Sequence, residues 1–273
     1  MIQPTISLCM IVKNEEKILE RCLNHIYKHV DEIIIVDTGS TDKTIEIAKQ
    51  FTNKVYYFKW RDDFSAARNF SISKATKGWI LVLDADEFID KPHQLKQFLF
   101  NTSESLFTFK KLNIFVEYEK VEDKEYLQNK LQKRTISYHE RLFKNNESYW
   151  YQGIVHEQIF RNKCNISRIE NIPNKIYHFK DSEKIAIKNE YYNYLGKKAI
   201  ELGDTNCNLI INLLIYYADK DDFLSFNDFL NKHCTFKVEE RMRKNTLKLI
   251  NLLYTKNRFK EMSKINEILE NSI

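Results

Sequence analysis

Apolar residues in the first 84 positions fall into short runs separated by stretches with helical spacing. Ile6–Val12 (ISLCMIV) is apolar or small throughout, the pattern of a strand buried on both faces. Over residues 15–27 apolar side chains return at Ile18, Cys22 and Ile26, every fourth position, which predicts a helix. Residues 33–36 (IIIV) predict a second strand closed by the turn Thr38-Gly39-Ser40, and Thr44–Phe51 a helix through Ile45, Ala48 and Phe51. A third strand at 55–58, a helix at 65–75 and a fourth strand at 79–83 complete the alternation. Strands separated by helices of this length call for a mostly parallel, Rossmann-like sheet with helices on both faces, an α/β fold.

From residue 106 to 179 the pattern changes to β-like pieces (LFTF, NIFVEY, HERLFK, YWYQGIVHEQIF, KIYHF). From 182 onward it is almost wholly helical. Tyr191, Leu195, Ala199 and Leu202 share one face, as do Phe259, Met262, Ile265 and Leu269, with turns at 203–204 and 219–222. The expected division is an α/β domain over 1–181 and a small all-α domain over 182–273, whose successive hairpins resemble a TPR-like array.

Composition sharpens this. Hydrophobic residues at 43% and aromatics at 13% supply a substantial core, while 5 glycines and 3 prolines argue against turn-rich all-β architectures and flexible linkers. The net charge of +5, from 43 basic and 38 acidic residues well interspersed, suits an anionic ligand such as a nucleotide but gives no stripe for nucleic acid. The charge-dense stretch 120–133 mixes both signs and reads as a solvated segment. Five cysteines (Cys9, Cys22, Cys164, Cys207, Cys234) form no CxxC pair, and the N-terminus shows no secretory signal, so a reduced, cytoplasmic protein is expected. The apolar stretch 209–218 is broken by Asn212 and reads as core packing ahead of a membrane span or a dimer surface. The oligomeric state is left open.

Candidate chemistry centres on Leu83-Asp84-Ala85-Asp86-Glu87, just past an apolar strand. Ligands of open α/β sheets gather at the carboxyl ends of strands, and two carboxylates there can meet a hard divalent cation that bridges to a diphosphate. A solvated acidic turn would look the same. Asp37 ends the second strand in IVDTGSTD, placed to accept from a uracil or ribose or to precede a helix cap. Asn14 and Glu15 close the first strand similarly, and Arg68, at the start of a helix, is placed to reach a pyrophosphate. No GxSxG, P-loop, GxGxxG or HExxH occurs.

Taken in order, CMIVKNEE (9–16), IIIVDTGSTDKT (33–44), DDFSAARNFSISKATKGWILVLDADE (62–87) and YQGIVHE (151–157) resemble the family 2 glycosyltransferases of the GT-A fold. Within them the chain is most similar to the subgroup whose GT-A domain is followed by TPR-like helices, which includes enzymes proposed to modify peptides and others linked to cell-surface glycans. The resemblance implies that Asp37 contacts uracil and that the loop carrying Val12, Asn14 and Glu15 closes over the nucleotide. It implies that Arg68 supports the nucleotide or its phosphates, that Asp84 approaches the ribose or the metal shell with Ala85 among the residues binding the nucleotide-sugar, and that Asp86 binds Mn²⁺ or Mg²⁺. YQGIVHE fits the acceptor-side loop, with Glu157 as the catalytic base, and His178 resembles the histidine that completes the metal site. An exposed polar step at His156-Glu157 and a core role for His178 stand as alternatives, with Glu140 as a substitute base. The QxxRW motif of processive synthases is missing, which implies transfer of a single sugar. The expected reaction is inverting transfer from a UDP-sugar of the glucose or N-acetylglucosamine type to a peptide, protein or surface-glycan acceptor, with peripheral membrane contact compatible. A nucleotidyltransferase would place a glycine- and lysine-rich loop where KNEE stands. A degenerate GT-A domain serving as a binding module is the other rival. A dinucleotide-binding oxidoreductase lacks its glycine fingerprint here.

Overall fold

The apolar run Ile6–Val12 forms strand β1, buried along its length except at Ile11, which is half-buried. It pairs in parallel with β2 (Glu32–Asp37) on one side and β4 (Trp79–Val82) on the other, and β3 (Val55–Tyr57) extends the sheet beyond β2. A computed structural model describes residues 3–145, 149–161, 170–204, 206–233 and 243–270. Helices α1 (Leu19–Ile26), α2 (Thr44–Phe51) and α3 (Phe64–Ile72) make the crossovers. Helix α1 starts at Leu19, four residues later than the spacing predicts. Asn14 sits in the left-handed region (φ 55°), so the chain turns there before a helix can begin. Helix α3 is capped by Asp63, whose carboxylate accepts from the Ala66 N–H at 2.8 Å.

The acidic motif leads into β5 (Glu87–Ile89), followed by α4 (Leu95–Phe100), neither of which the periodicity marks. LFTF and NIFVEY join into one long strand, β6 (Leu106–Val116). The charge-dense stretch beyond it holds α5 (Lys124–Gln132), a helix with no buried residue. Then come β7 (Thr135–Lys144), the hairpin β8 (Tyr149–Gln152) and β9 (Gln158–Arg161), and β10 (Glu170–Asp181). Among the described residues the main sheet has eight strands in the order β3-β2-β1-β4-β7-β6-β10-β5. Period-two alternation divides its core: Leu8, Met10, Ile33, Ile35 and Leu81 pack in one cluster, Cys9, Ile34, Val36, Ile80 and Val82 in another. Burial pushes the Cys9 thiol up, so it packs as a small hydrophobe and not as a nucleophile.

Glu32 opens β2 as a buried carboxylate. It accepts from the Ser7 hydroxyl and the Lys54 ammonium, and from the Thr76 N–H and hydroxyl, each at 2.8 Å. Burial pushes its carboxyl up, but these bonds outweigh it and bring the pKa down to about 2. A depressed pKa gives stability that is fully present above the unfolded value and lost as pH falls toward 2. At 1.36 kcal/mol per pKa unit the contribution is on the order of 2–3 kcal/mol. Acid titration of thermal stability should therefore show a loss between about pH 5 and pH 2 that Glu32→Gln removes. An identical acid slope in the variant would refute that assignment.

Two compact units result: residues up to 153 with 157–186, and residues 154–156 with those from 187 onward. The second contains α6 (Ile185–Glu201), α7 (Cys207–Asp219), α8 (Phe223–Lys232), α9 (Arg243–Thr255) and α10 (Phe259–Glu270). Helix α7 buries residues on nearly every side (Leu209, Ile210, Ile211, Leu213, Leu214, Ile215) and is the centre of this unit's core. Of the predicted α6 face, Leu195 and Ala199 are buried and Leu202 is exposed. Gly203 at φ 92° and Asp221 at φ 57° make the turns expected near 203–204 and 219–222. Cys164, Cys234 and the side chains of Cys207 and Leu269 lie outside the described residues. No described helix is long and apolar enough to cross a membrane.

Candidate functional site

At the carboxyl ends of β1 and β2 two loops are stapled together. The Val12 carbonyl accepts from the Thr38 N–H (3.0 Å) and hydroxyl (3.1 Å). Asn14 Oδ1 accepts from the Thr41 N–H at 2.8 Å, the Asn14 N–H donates to Ser40 Oγ at 3.0 Å, and the Glu15 N–H donates to Thr44 Oγ1 at 2.8 Å. Asp37 is buried, and its carboxylate accepts from the N–H groups of Gly39 (2.9 Å) and Ser40 (3.1 Å). That turn requires the left-handed conformation at Gly39 (φ 107°), which glycine adopts without strain. Val12, Asn14, Glu15 and Asp37 thus share one rim, with the Asp37 carboxylate turned onto its own loop.

The acidic motif lies at the end of β4, adjacent to β1. Both oxygens of Asp84 meet arginine: Oδ1 accepts from Arg68 Nη2 at 2.9 Å and Oδ2 from Arg141 Nη2 at 3.0 Å. Arg68, buried on α3, also donates through Nε to Glu157 Oε1 at 2.5 Å. Glu87, fully buried, accepts at Oε1 from Arg141 Nη2 (3.0 Å) and Lys111 Nζ (2.8 Å), and at Oε2 from the Asp84 N–H (3.1 Å). Arg68, Arg141 and Lys111 thereby balance Asp84, Glu87 and Glu157, and each charge has a partner at hydrogen-bond distance, the condition for burying ions at tolerable cost. Burial opposes ionisation of Asp84, yet Arg68 and Arg141 outweigh it and hold the carboxyl well below the usual range. Arg68 is likewise held well above its ordinary value: burial works against its charge, and Asp84 and Glu157 more than offset it.

Asp86, buried, meets a different set of groups. Its Oδ1 lies 3.3 Å from His178 Nε2, and its Oδ2 accepts from the Tyr118 hydroxyl at 3.4 Å. Strand register builds this contact. In the antiparallel β5–β10 pair His178 is opposite Glu87, one residue past Asp86, and in the parallel β6–β10 pair it is beside Asn113. The other ring nitrogen, Nδ1, is 2.9 Å from Asn113 Oδ1. Ala85, between the two aspartates, is buried. One imidazole nitrogen and one carboxylate oxygen side by side suit a borderline or hard divalent cation. Among the described residues no group of three or more His, Cys, Asp or Glu side chains could hold a metal ion alone, so a cation at Asp86 and His178 needs further oxygens from a ligand. A diphosphate supplies such oxygens.

Sequence reading names Asp84, Asp86, Arg68, Glu157 and His178, and the structure brings Arg68, Asp84 and Glu157 into one chain of contacts and Asp86 and His178 into another. It does not mark Arg141, Lys111, Asn113 or Tyr118. For the first three the signal is a polar side chain inside an otherwise apolar strand, as in FTFKKLNIFV and HERLF, whose partners lie 24 to 65 residues away. Burial brings the His139 ring down to about 2, so this neighbour of Arg141 is a neutral imidazole.

The model of glycosyl transferase family 2 matches residues 7–185, about two thirds of the chain, and the protein belongs to that family. Its α/β unit, with this mixed sheet, is a GT-A domain. The chain is 43% identical over 95 residues to the prophage-derived glycosyltransferase SunS of Bacillus subtilis, a match covering 34% of this chain and 22% of that protein. It is 55% identical over 82 residues to a TPR repeat-containing protein of Synechococcus elongatus, covering 30% of this chain and 20% of that one. The matched stretches thus span about a fifth of these relatives' length. Among solved structures, S. aureus TarS 1–349 matches at a TM-score of 0.44 with 13% identity, covering 97% of this chain and 83% of that one. Glucosyl-3-phosphoglycerate synthase from Mycobacterium tuberculosis, in complex with Mg²⁺ and UDP, matches at 0.35 with 23% identity, covering 40% and 44%.

Proposed function

We propose that the protein transfers one hexosyl group, of the glucose or N-acetylglucosamine type, from a UDP-sugar to an acceptor oxygen or sulfur on a peptide, protein or surface glycan, with inversion at the anomeric carbon. The observation that carries this reading is the 3.3 Å approach of His178 Nε2 to Asp86 Oδ1 at the carboxyl edge of a family 2 sheet. Asp86 and His178 would hold Mn²⁺ or Mg²⁺, and the bound cation would supply charge neutralisation to the departing diphosphate. The rim of Val12, Asn14, Glu15 and Asp37 takes the nucleoside, with Asp37 toward the base. Asp84 and Ala85 border the ribose side, and Arg68 braces Asp84 from below. Glu157 accepts the acceptor's proton as the new bond forms, its carboxylate held in place by Arg68. The free, buried thiols Cys9 and Cys22 suit a reducing, cytoplasmic compartment.

Incubating the full chain with UDP-glucose or UDP-N-acetylglucosamine and Mn²⁺ should release UDP, and chelation should stop it. Release of pyrophosphate would point to nucleotidyl transfer, and failure to bind UDP with Mn²⁺ to a binding module. Glu157→Gln should lower transfer about 10²–10⁴-fold, the range for a general base, with UDP affinity little changed. Wild-type rates in that variant would move the base elsewhere, with Glu140 next to test.

A further inference from the structure

A histidine ligates a cation as the neutral ring, which has two tautomers, and they differ in consequence for His178. With the proton on Nδ1, Nε2 points a lone pair toward Asp86 and can ligate; with the proton on Nε2 it can only donate to the carboxylate. Each nitrogen faces an acceptor, Nδ1 the Asn113 Oδ1 at 2.9 Å and Nε2 the Asp86 Oδ1 at 3.3 Å, and a cation held at Asp86 and Nε2 leaves Nδ1 as the nitrogen that donates. An amide oxygen accepts, and an amide nitrogen would donate, so the amide's orientation decides the tautomer. The far side of the amide is satisfied in this orientation: Asn113 Nδ2 donates to Ser137 Oγ at 3.0 Å, across the β6–β7 pair. Ser137 Oγ in turn lies 3.1 Å from His139 Nε2. Asn113 is buried, so water does not compete for either end of its amide.

We propose that Asn113 is a positioning residue that fixes His178 with its proton on Nδ1, leaving Nε2 as a ligand atom beside Asp86. The inference rests on the reading of Asp86 and His178 as the cation site. A histidine ligand commonly donates its second N–H to an outer acceptor, which fixes the ring and raises its basicity, and loss of that acceptor typically costs 10–100-fold in metal affinity. Here β6 delivers the acceptor, one strand over from the ligand, and β7 orients it.

Two measurements test this without turnover. With UDP and diamagnetic Mg²⁺ bound, ¹⁵N spectra of histidine-labelled samples, with His178→Ala to assign the ring, should show His178 protonated at Nδ1. A ring protonated at Nε2 overturns the proposal. In the presence of UDP, Mn²⁺ affinity read from the free-ion paramagnetic resonance signal should weaken about 10–100-fold in Asn113→Leu and stay near wild type in Asn113→Asp, whose carboxylate also accepts from Nδ1–H. Equal affinity in wild type and a folded Asn113→Leu overturns the proposal while leaving the cation site standing. If Asn113→Leu does not fold, Asn113→Ala serves, and the spectra of the wild type decide alone. Should wild type and His178→Ala bind Mn²⁺ alike, it is the cation-site reading that fails.

Discussion

Replacing Asp86 by Asn should reduce sugar transfer by at least about 10³-fold, the scale of losing several kcal/mol of charge stabilisation at the leaving group. The substitution keeps the size of the side chain and the position of the oxygen that Tyr118 meets. It removes the anionic oxygen beside His178. UDP binding without metal should change only a few-fold, because the rim at Val12, Asn14, Glu15 and Asp37, proposed to take the nucleoside, is held by its own hydrogen bonds and does not depend on Asp86. The metal-dependent increment in UDP affinity should disappear. Isothermal titration with and without Mn²⁺, together with initial rates of UDP release, separates the two effects. Near-normal turnover in Asp86→Asn would remove the residue from the chemistry.

The second large effect is on stability. Arg141→Leu takes away one buried cation that touches both Asp84, half-buried, and Glu87, fully buried. Breaking a buried ion pair by removing one partner leaves an uncompensated charge and typically costs about 3–5 kcal/mol. For a unit of this size that corresponds to a melting point lower by roughly 6–20 °C. Lys17→Ala, which cuts a fully solvated pair with Glu119, should leave the melting curve unmoved. If Arg141→Leu and Lys17→Ala melt together, the buried set is not what ties β4, β5 and β7 to one another.

The parts of this molecule that were legible in sequence are those whose burial is complete and local. β1 and α2 match their predicted spans, because ISLCMIV is buried almost throughout and TIEIAKQF carries its apolar side chains on one face. β5 was illegible: it has three residues, and its first, Glu87, is a carboxylate that looks solvent-facing until Lys111 and Arg141 are placed on it. Helix α5 has no fully buried residue and rests on the core only through the half-buried Tyr126, Leu127 and Leu131, too short an apolar pattern to stand out among its charges. Asp86 and His178 were legible one at a time, each from its own motif. Their meeting depends on the registers of β5, β10 and β6, a long-range property that local pattern does not carry. The same holds for the arginine and lysine partners, since a charge in a strand does not state which distant carboxylate it will face.

The strand order carries a consequence for synthesis on the ribosome. β10 is the last strand of the α/β unit to leave the exit tunnel, yet it lies inside the sheet, between β6 and β5. A nascent chain exposed only as far as β9 already possesses Asp84, Asp86 and Glu157, and can seat β5 on α1 and on Lys111 and Arg141, but lacks the strand that hydrogen-bonds β5 into the sheet. The contact between Asp86 and His178 therefore cannot form until β10, which bears His178, has been added between β6 and β5.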